Sequence, residues 1–166
     1  LSAEQKAAVE GIWDDKRMVH LLHGVTGSGK TEVYMQLIER AISNGKQAIV
    51  LIPEISLTYQ NIGRFRQRFG QRVSVMNSKM SEGERYDQYV QAKNGEIDIL
   101  IGPRSALFAP FEHLGLIIID EEHDGAYKSD VTPKYHAKDV AIKRMELCGG
   151  KVVLGAQPTA EYRVDY

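Results

Sequence analysis

Short apolar runs alternate along the chain with longer segments in which apolar residues recur every three or four positions. The runs lack the polar alternation of a half-exposed strand, which predicts strands that are buried on both faces. These runs span residues 19–22, 48–52, 73–76, 97–101, 116–119 and 152–154. Helices between such strands can cover both faces of a sheet only if most of the strands are parallel. The pattern therefore predicts a three-layer α/β domain with a mostly parallel sheet.

Four segments between the runs have the periodicity of amphipathic helices. They lie at residues 33–42, 59–69, 86–90 and 137–148. Ser81 and Glu84 precede the third segment with the spacing of a capping box, and a glycine follows each segment within a few residues. Ligands of parallel sheets bind beyond the carboxyl ends of the strands, so the loops after the runs are the candidate functional sites.

Composition narrows the function classes. The chain has 166 residues, of which 43% are hydrophobic, and this suits one folded core. The formal net charge of -1 excludes a polycationic nucleic-acid binder. The apolar runs are far shorter than the roughly 20 residues of a membrane helix. The one cysteine, Cys148, favours a reducing compartment, so we expect a cytoplasmic protein without a membrane partner.

No repeat, low-complexity tract or linker divides the sequence, so we expect one domain over residues 1–166. The chain opens at Leu1 without an initiator methionine or a signal peptide, and it closes on Tyr166 without a visible end signal. We therefore expect it to be a piece of a longer chain.

A complete phosphate-binding motif follows the first apolar run and fits the pattern G-x-x-x-x-G-K-[ST]. Its glycines let backbone N–H groups point at phosphate oxygens, while Lys30 reaches the β- and γ-phosphates and the Thr31 hydroxyl can ligate Mg²⁺. The predicted nucleotide-binding residues are Gly24, Val25, Thr26, Gly27, Ser28, Gly29, Lys30 and Thr31. The pattern G-x-G-x-x-G is absent from this turn, which excludes a dinucleotide site there.

Acidic residues follow the fifth apolar run. Asp120 ends a predicted buried strand, where a carboxylate can hold Mg²⁺ beside the phosphate-binding loop. Glu121 is then placed to orient or deprotonate an attacking water molecule. Without the phosphate motif, this stretch would be interpreted as a solvated loop that starts a helix, whereas the two together favour hydrolysis. We predict Lys30, Asp120 and Glu121 as catalytic residues, with Thr31 and Asp120 as magnesium ligands.

The stretch Asp120-Glu121-Glu122-His123 is similar to the D-E-x-H box of superfamily 2 helicases. The wider resemblance rests on GVTGSGKTEVY at 24–34, LIPEISLT at 51–58, IGPRSALFAPF at 101–111, LGLIIIDEEHD at 115–124 and YHAKDVA at 135–141. These stretches cover nearly the whole chain and resemble the first motor lobe of bacterial replication-restart helicases. The resemblance implies that residues 1–166 are a RecA-like P-loop NTPase lobe that uses ATP and Mg²⁺.

The resemblance also implies the work and the partners of the whole protein. It implies ATP-dependent 3′-to-5′ movement on single-stranded and forked DNA during the restart of stalled replication forks. Primosome proteins and single-strand-binding proteins are the implied partners. A second helicase lobe completes the ATP site of such motors, so this lobe alone is expected to be nearly inactive. Zinc is expected only in parts of the full-length protein outside this chain.

Polar residues after the second and fourth runs resemble the DNA-tracking motifs of this family. Hydroxyl groups and an arginine suit the phosphate oxygens of a single strand, a contact that reads no base sequence. The aromatic and basic loop before the last helix resembles the loop that couples DNA binding to hydrolysis in this family and in RecQ-like helicases. The predicted DNA-binding residues are Glu54, Ser56, Thr58, Arg104, Ser105, Tyr127, Lys128, Tyr135 and His136. The alternatives are helix caps and turns for most of them, and packing under the next helix for Tyr135.

The arginines at positions 64, 66, 68 and 72 also invite a DNA assignment. They lie on the same predicted helix as an apolar face that includes Phe65 and Phe69, or just beyond it. We interpret them as the solvated face of that helix.

Gln5 has two interpretations. By resemblance it reads the edge of the adenine base. By local chemistry, Ser2-x-x-Gln5 is a capping box in which the Gln5 side chain returns to the backbone of Ser2. Both interpretations stay open at the level of the sequence.

The segment after the last run departs from the family pattern G-S-A-T-P, because it reads Gly155-Ala156-Gln157-Pro158-Thr159. The two hydroxyl groups that would link the acidic box to movement are absent from their places. This departure supports an alternative function, a nucleotide-gated DNA-binding or interaction module that has lost unwinding activity. A P-loop phosphotransferase is a third possibility, and it leaves the DNA-tracking residues without a role.

Overall fold

The computed structural model describes residues 2–24, 29–120 and 136–156, together with the backbone of residues 163–165. Within these residues the chain forms seven β-strands and five α-helices. The strands are β1 (Val19–His23), β2 (Gln47–Leu51), β3 (Val73–Val75), β4 (Ile99–Gly102), β5 (Leu114–Ile119), β6 (Lys151–Gly155) and β7 (Arg163–Asp165). The helices are α1 (Ala3–Asp14), α2 (Gly29–Ser43), α3 (Tyr59–Phe69), α4 (Glu82–Lys93) and α5 (Ala137–Cys148). Each predicted run and each periodic segment lies on one of these elements or within two residues of it.

The strands form one sheet in the order β3-β4-β2-β5-β6-β1-β7. Strands β1 to β6 pair in parallel, and β7 pairs antiparallel with β1 at the edge. The prediction of a mostly parallel sheet is therefore confirmed. Because β6 lies between β1 and β5, the ends of the strands that lead into the phosphate motif and the acidic box are close neighbours.

Helices cover both faces of the sheet. On one face α1, α2 and α3 supply buried side chains such as Leu37 and Phe65. On the other face α4, α5 and a short 3-10 segment at residues 104–108 supply side chains such as Met145 and Leu107. The three-layer prediction is confirmed. None of the helices within the described residues is long and apolar enough to cross a bilayer.

Two elements were not predicted from the hydrophobic pattern. Helix α1 buries only Ala8, Val9 and Ile12, so its apolar stripe is short and Gln5 and Ser2 were its main sequence signals. Strand β7 is three residues long and pairs with β1 alone, which is too little for a periodicity to show. Strand β7 gains its structure from pairing with β1, whereas α1 combines a local capping box with the packing of its short apolar stripe.

The arginines on α3 and just beyond it agree only in part with the prediction of a solvated helix face. Arg66 and the nearby Arg72 are exposed, as expected. Arg68 instead donates to Glu39 at 2.6 Å and to Glu32 at 2.8 Å, both on α2. Burial acts to raise the pKa of Glu32, but hydrogen bonds from Arg68 and Gln36 outweigh it and lower that pKa below its usual value. These ion pairs dock α3 onto α2, which a sequence pattern confined to one helix does not reveal.

His20 is a buried titratable residue of β1. Its Nε2 donates to the carbonyl oxygen of Arg17 at 2.8 Å. Burial lowers the pKa of His20 below 6.5, and the nearby ammonium group of Lys151 acts in the same direction. The hydrogen bond to Arg17 and the charge of Asp15 oppose this shift without cancelling it. The fold therefore favours the neutral imidazole.

We expect the free energy of unfolding to fall as the pH decreases below about 6.5. The unfolded chain protonates His20 near that pH, whereas the folded chain does so only at lower pH, so protonation favours the unfolded state. His20→Gln should reduce this loss of stability between about pH 7.5 and pH 5.5, as measured by urea unfolding of the 166-residue polypeptide. His113→Gln, at an exposed histidine, is the matched control. Equal pH dependence in the wild type and in His20→Gln would contradict the expectation.

Candidate nucleotide site

Lys30 is held at the carboxyl edge of the sheet. It lies in the first turn of α2 and is only 7% exposed. Its Nζ donates a 2.6 Å hydrogen bond to the carbonyl oxygen of Ala156, just beyond β6. The same Nζ lies 3.6 Å from Oδ1 of Asp120, just beyond β5. A buried ammonium group is stable only with such partners, so the two contacts define where its charge is held.

Asp120 has a partner that the sequence did not suggest. The hydroxyl of Tyr34, on α2, donates a 2.6 Å hydrogen bond to Oδ1 of Asp120. In the sequence Tyr34 counts as part of an apolar helical stripe, and its ring is indeed buried. The available signal was its position four residues after Lys30, which places both side chains on one helix face. A buried tyrosine hydroxyl usually needs a polar partner, and here the partner is the predicted magnesium ligand.

The side chains at this edge suit a magnesium nucleotide. Helix α2 begins at Gly29, and the N–H groups of a helix amino terminus attract phosphate. The Asp120 carboxylate and the Thr31 hydroxyl supply the oxygen ligands that Mg²⁺ prefers. Asp120, just beyond β5, and Lys30, on α2, also lie side by side at this edge. The residues present therefore fit a bound Mg²⁺, which would polarise the phosphate oxygens of a nucleotide.

Gln5 satisfies its local interpretation and also reaches the phosphate motif. Its Oε1 accepts from the backbone N–H of Ser2 at 2.8 Å, and its own N–H donates to Ser2 Oγ, which completes the capping box. Its Nε2 donates to the carbonyl oxygen of Gly29 at 3.1 Å. One amide therefore caps α1 and touches the first residue of α2. Contact with adenine stays a prediction.

Residues predicted to bind DNA after β2 make internal contacts. Glu54 accepts two hydrogen bonds from Ser78, from the backbone N–H at 2.8 Å and from the hydroxyl at 2.7 Å. Thr58 caps α3 by accepting from the backbone N–H of Asn61 at 3.2 Å, and the Ser56 carbonyl accepts from the Asn61 side chain. The alternative of a helix cap is thus observed for Thr58. Glu54 joins the loop after β2 to the loop after β3.

The other predicted DNA residues that the structure describes lie at the same sheet edge or next to α5. Arg104 and Ser105 begin the 3-10 segment after β4, and both are partly buried. The Ser105 carbonyl accepts from the hydroxyl of Tyr89 at 2.7 Å. His136 caps α5, because its Nδ1 accepts from the backbone N–H of Lys138 at 3.1 Å. The structure therefore groups Arg104 and Ser105 with the loops after β2 and β3, while His136 has a local role as a cap.

Several predicted residues lie outside the described residues. They are Val25, Thr26, Gly27, Ser28, Glu121, Tyr127, Lys128, Tyr135, Gln157 and Pro158. Their assigned roles in nucleotide binding, water activation, DNA contact and coupling stay predictions.

The sequence is similar to those of bacterial replication restart proteins. It is 55% identical over 166 residues to the replication restart protein PriA of Bacillus subtilis, an alignment that covers 97% of this chain and 21% of that protein. It is 54% identical over 167 residues to the replication restart protein PriA of Chlamydia muridarum, with coverage of 97% and 22%. The chain thus spans about a fifth of the length of these curated relatives.

The fold is also similar to that of a solved protein–DNA complex. The fold is similar to that of RecG bound to a three-way DNA junction, with a TM-score of 0.69 and 25% sequence identity, over 94% of this chain and 21% of that chain. The sequence matches the DEAD/DEAH box helicase family over residues 2–151. That match covers most of the chain and includes both Lys30 and Asp120. The chain belongs to the DEAD/DEAH box helicase family.

Proposed function

We propose that this chain is the ATP-binding first lobe of a 3′-to-5′ DNA helicase that restarts stalled replication forks. The observation that carries the proposal is the 3.6 Å approach of Lys30 Nζ to Asp120 Oδ1 at one edge of the sheet. A magnesium nucleotide needs a lysine that contacts its phosphates and a carboxylate that holds its metal ion. In this chain the two candidate groups are neighbours. The identity with two replication restart proteins supports the biological role.

The roles of the residues follow from their positions. Lys30 leaves the Ala156 carbonyl for the β- and γ-phosphates, while the N–H groups at the start of α2 receive the phosphate oxygens. Thr31 and Asp120 hold the metal ion, and Glu121 orients the attacking water. Gln5, which already touches Gly29, reaches the adenine edge from α1.

The partners follow from the same role. Single-stranded and forked DNA pass over the loops after β2 and β4, where Ser56, Thr58, Arg104 and Ser105 face the strand. A second helicase lobe elsewhere in the protein closes the nucleotide site, and primosome and single-strand-binding proteins deliver the fork. The similarity to RecG, whose structure was solved on a three-way DNA junction, supports forked DNA as the substrate. We infer a cytoplasmic location from this role at replication forks.

Lys30→Ala in the full-length protein should lower the DNA-stimulated rate of ATP hydrolysis about 100-fold or more, since it removes a charge that stabilises the transferring phosphoryl group. Fork unwinding should be lost in parallel. The measurements are steady-state hydrolysis of ATP and strand separation on a labelled fork. Lys93→Ala, at an exposed lysine of α4, is the matched control and should behave like the wild type. Hydrolysis that persists in Lys30→Ala would contradict the proposal.

Glu121→Gln separates this proposal from the alternative of a nucleotide-gated DNA-binding module. If the protein is a helicase, the wild type should unwind forks and the Glu121→Gln variant should not, because the amide cannot accept the proton of the attacking water. If the protein is a gated module, the wild type itself should fail to unwind forks, while its affinity for DNA still changes when nucleotide binds.

Arg104→Ala should weaken binding of single-stranded DNA about equally for all base sequences, because a phosphate contact reads charge and not base identity. The slope of log affinity against log salt concentration should fall by about one. Fluorescence anisotropy with two unrelated oligonucleotides at several salt concentrations measures both effects. Arg66→Ala removes an equal charge from the exposed face of α3 and should leave the slope unchanged. An unchanged slope in Arg104→Ala would remove this residue from the DNA path.

A further inference from the structure

The hydroxyl of Tyr34 is built into the candidate nucleotide site. Tyr34 is 2% exposed, and of the buried residues of α2 that the structure describes it alone has a hydroxyl group. That hydroxyl donates to Oδ1 of Asp120 at 2.6 Å, and the same oxygen lies 3.6 Å from Nζ of Lys30. Two groups from one helix thus converge on one carboxylate oxygen.

We propose that Tyr34 is a positioning residue for the magnesium site: its hydroxyl fixes the orientation of the Asp120 carboxylate for metal binding. This inference rests on the proposed function and adds a residue to it. The Lys30 ammonium group is needed at the phosphates when nucleotide binds, so it cannot hold the carboxylate at the same time. The proposed function gives the tyrosine hydroxyl no place at the phosphates, so it can keep its contact with Asp120 when nucleotide binds.

Tyr34 is better suited than Lys30 to fix the orientation of the Asp120 carboxylate. Its ring has two rotatable side-chain bonds and is packed in the interior, whereas a lysine has a flexible four-carbon stem. A hydrogen bond to an ionised carboxylate is short and about twice as strong as a neutral one. The Asp120 side chain is 24% exposed and borders solvent, so a fixed hydroxyl contact restricts how far the carboxylate can turn.

Gly155 gives independent support for a close-fitted arrangement. A Cβ atom at this position would overlap the Tyr34 hydroxyl and would lie 2.8 Å from Oδ1 of Asp120. Gly155 is the last residue of β6, between the strands that lead to Lys30 and Asp120. The end of β6 therefore leaves the space in which the hydroxyl and the carboxylate meet.

Tyr34→Phe in the full-length protein tests the proposal, since it removes one oxygen atom and keeps the ring. The readout is equilibrium binding of a fluorescent, non-hydrolysable ATP analogue while Mg²⁺ is titrated. We expect the Mg²⁺ concentration for half-maximal binding to rise about tenfold, as for the loss of one hydrogen bond to a charged group. Binding of the analogue without Mg²⁺ should stay unchanged. The rate of ATP hydrolysis should fall at low Mg²⁺ and recover at high Mg²⁺.

Tyr86→Phe, at an exposed tyrosine of α4, controls for loss of a hydroxyl as such and should titrate like the wild type. A merely structural role for Tyr34 would weaken binding of the analogue equally with and without Mg²⁺, and would lower the melting temperature. That result, or an unchanged Mg²⁺ midpoint, would overturn the inference while the wild type still supports the proposed function. A wild type without magnesium-dependent binding of the analogue would instead overturn the proposed function, and the inference with it.

Gly155→Ala provides a second test through coupling. The added methyl group should displace the hydroxyl or the carboxylate and raise the Mg²⁺ midpoint by itself. Because Tyr34→Phe deletes the atom that the methyl group meets most closely, the double variant should need no more Mg²⁺ than Gly155→Ala alone. Independent effects, in which the two increases multiply, would contradict a shared contact.

Discussion

The arrangement of the candidate nucleotide site depends on holding the ammonium group of Lys30 at the carboxyl edge of the sheet. An ammonium group that is almost fully buried is costly unless a carbonyl or a carboxylate compensates it, and here Ala156 and Asp120 do so. At 3.6 Å in surroundings of intermediate polarity, the attraction between the two charges is on the order of 4 kcal/mol before desolvation is subtracted. The sheet order meets this requirement, because β6 brings its end between those of β1 and β5. A nucleotide that takes over the lysine must compete with these partners.

The contact of Lys30 with Ala156 affects how the altered segment after β6 is interpreted. The family pattern has two hydroxyl side chains in this segment, whereas this chain reads Ala156-Gln157-Pro158 after Gly155. Lys30, however, contacts the backbone carbonyl of Ala156, an atom that every residue type supplies. If a bound nucleotide draws Lys30 away, the Ala156 carbonyl loses its hydrogen bond. The start of this segment would then respond to nucleotide although it has no side-chain hydroxyl. The departure in sequence therefore does not remove every path from the nucleotide site to this part of the chain.

The sheet and its helices could be predicted because apolar runs and helical periods report burial directly, as the fully buried residues of β2 and the caps of α4 illustrate. The proximity of Lys30 and Asp120 could be predicted because the carboxyl ends of parallel strands share one sheet edge, whereas their roles at a nucleotide stay predictions. Tyr34 was missed because periodicity counts its ring and ignores its hydroxyl. The two interpretations of Gln5 could not be separated in advance, because one amide has both a donor and an acceptor and uses them in two directions. The pairing of Arg68 with α2 depends on how helices pack, which no single-helix pattern contains.

Hydrogen bonds of the sheet also tie the nucleotide side to the candidate DNA side. The backbone N–H of Asp120 donates to the carbonyl of Leu51 at 2.9 Å, and that of Ile52 donates to the carbonyl of Gly102 at 3.0 Å. Ile52 and Gly102 lie two residues before Glu54 and Arg104, so these backbone hydrogen bonds fix both loops relative to Asp120. A close-packed sheet of this kind does not deform continuously. We therefore expect a bound nucleotide to act on the loops at this edge rather than to reshape the sheet.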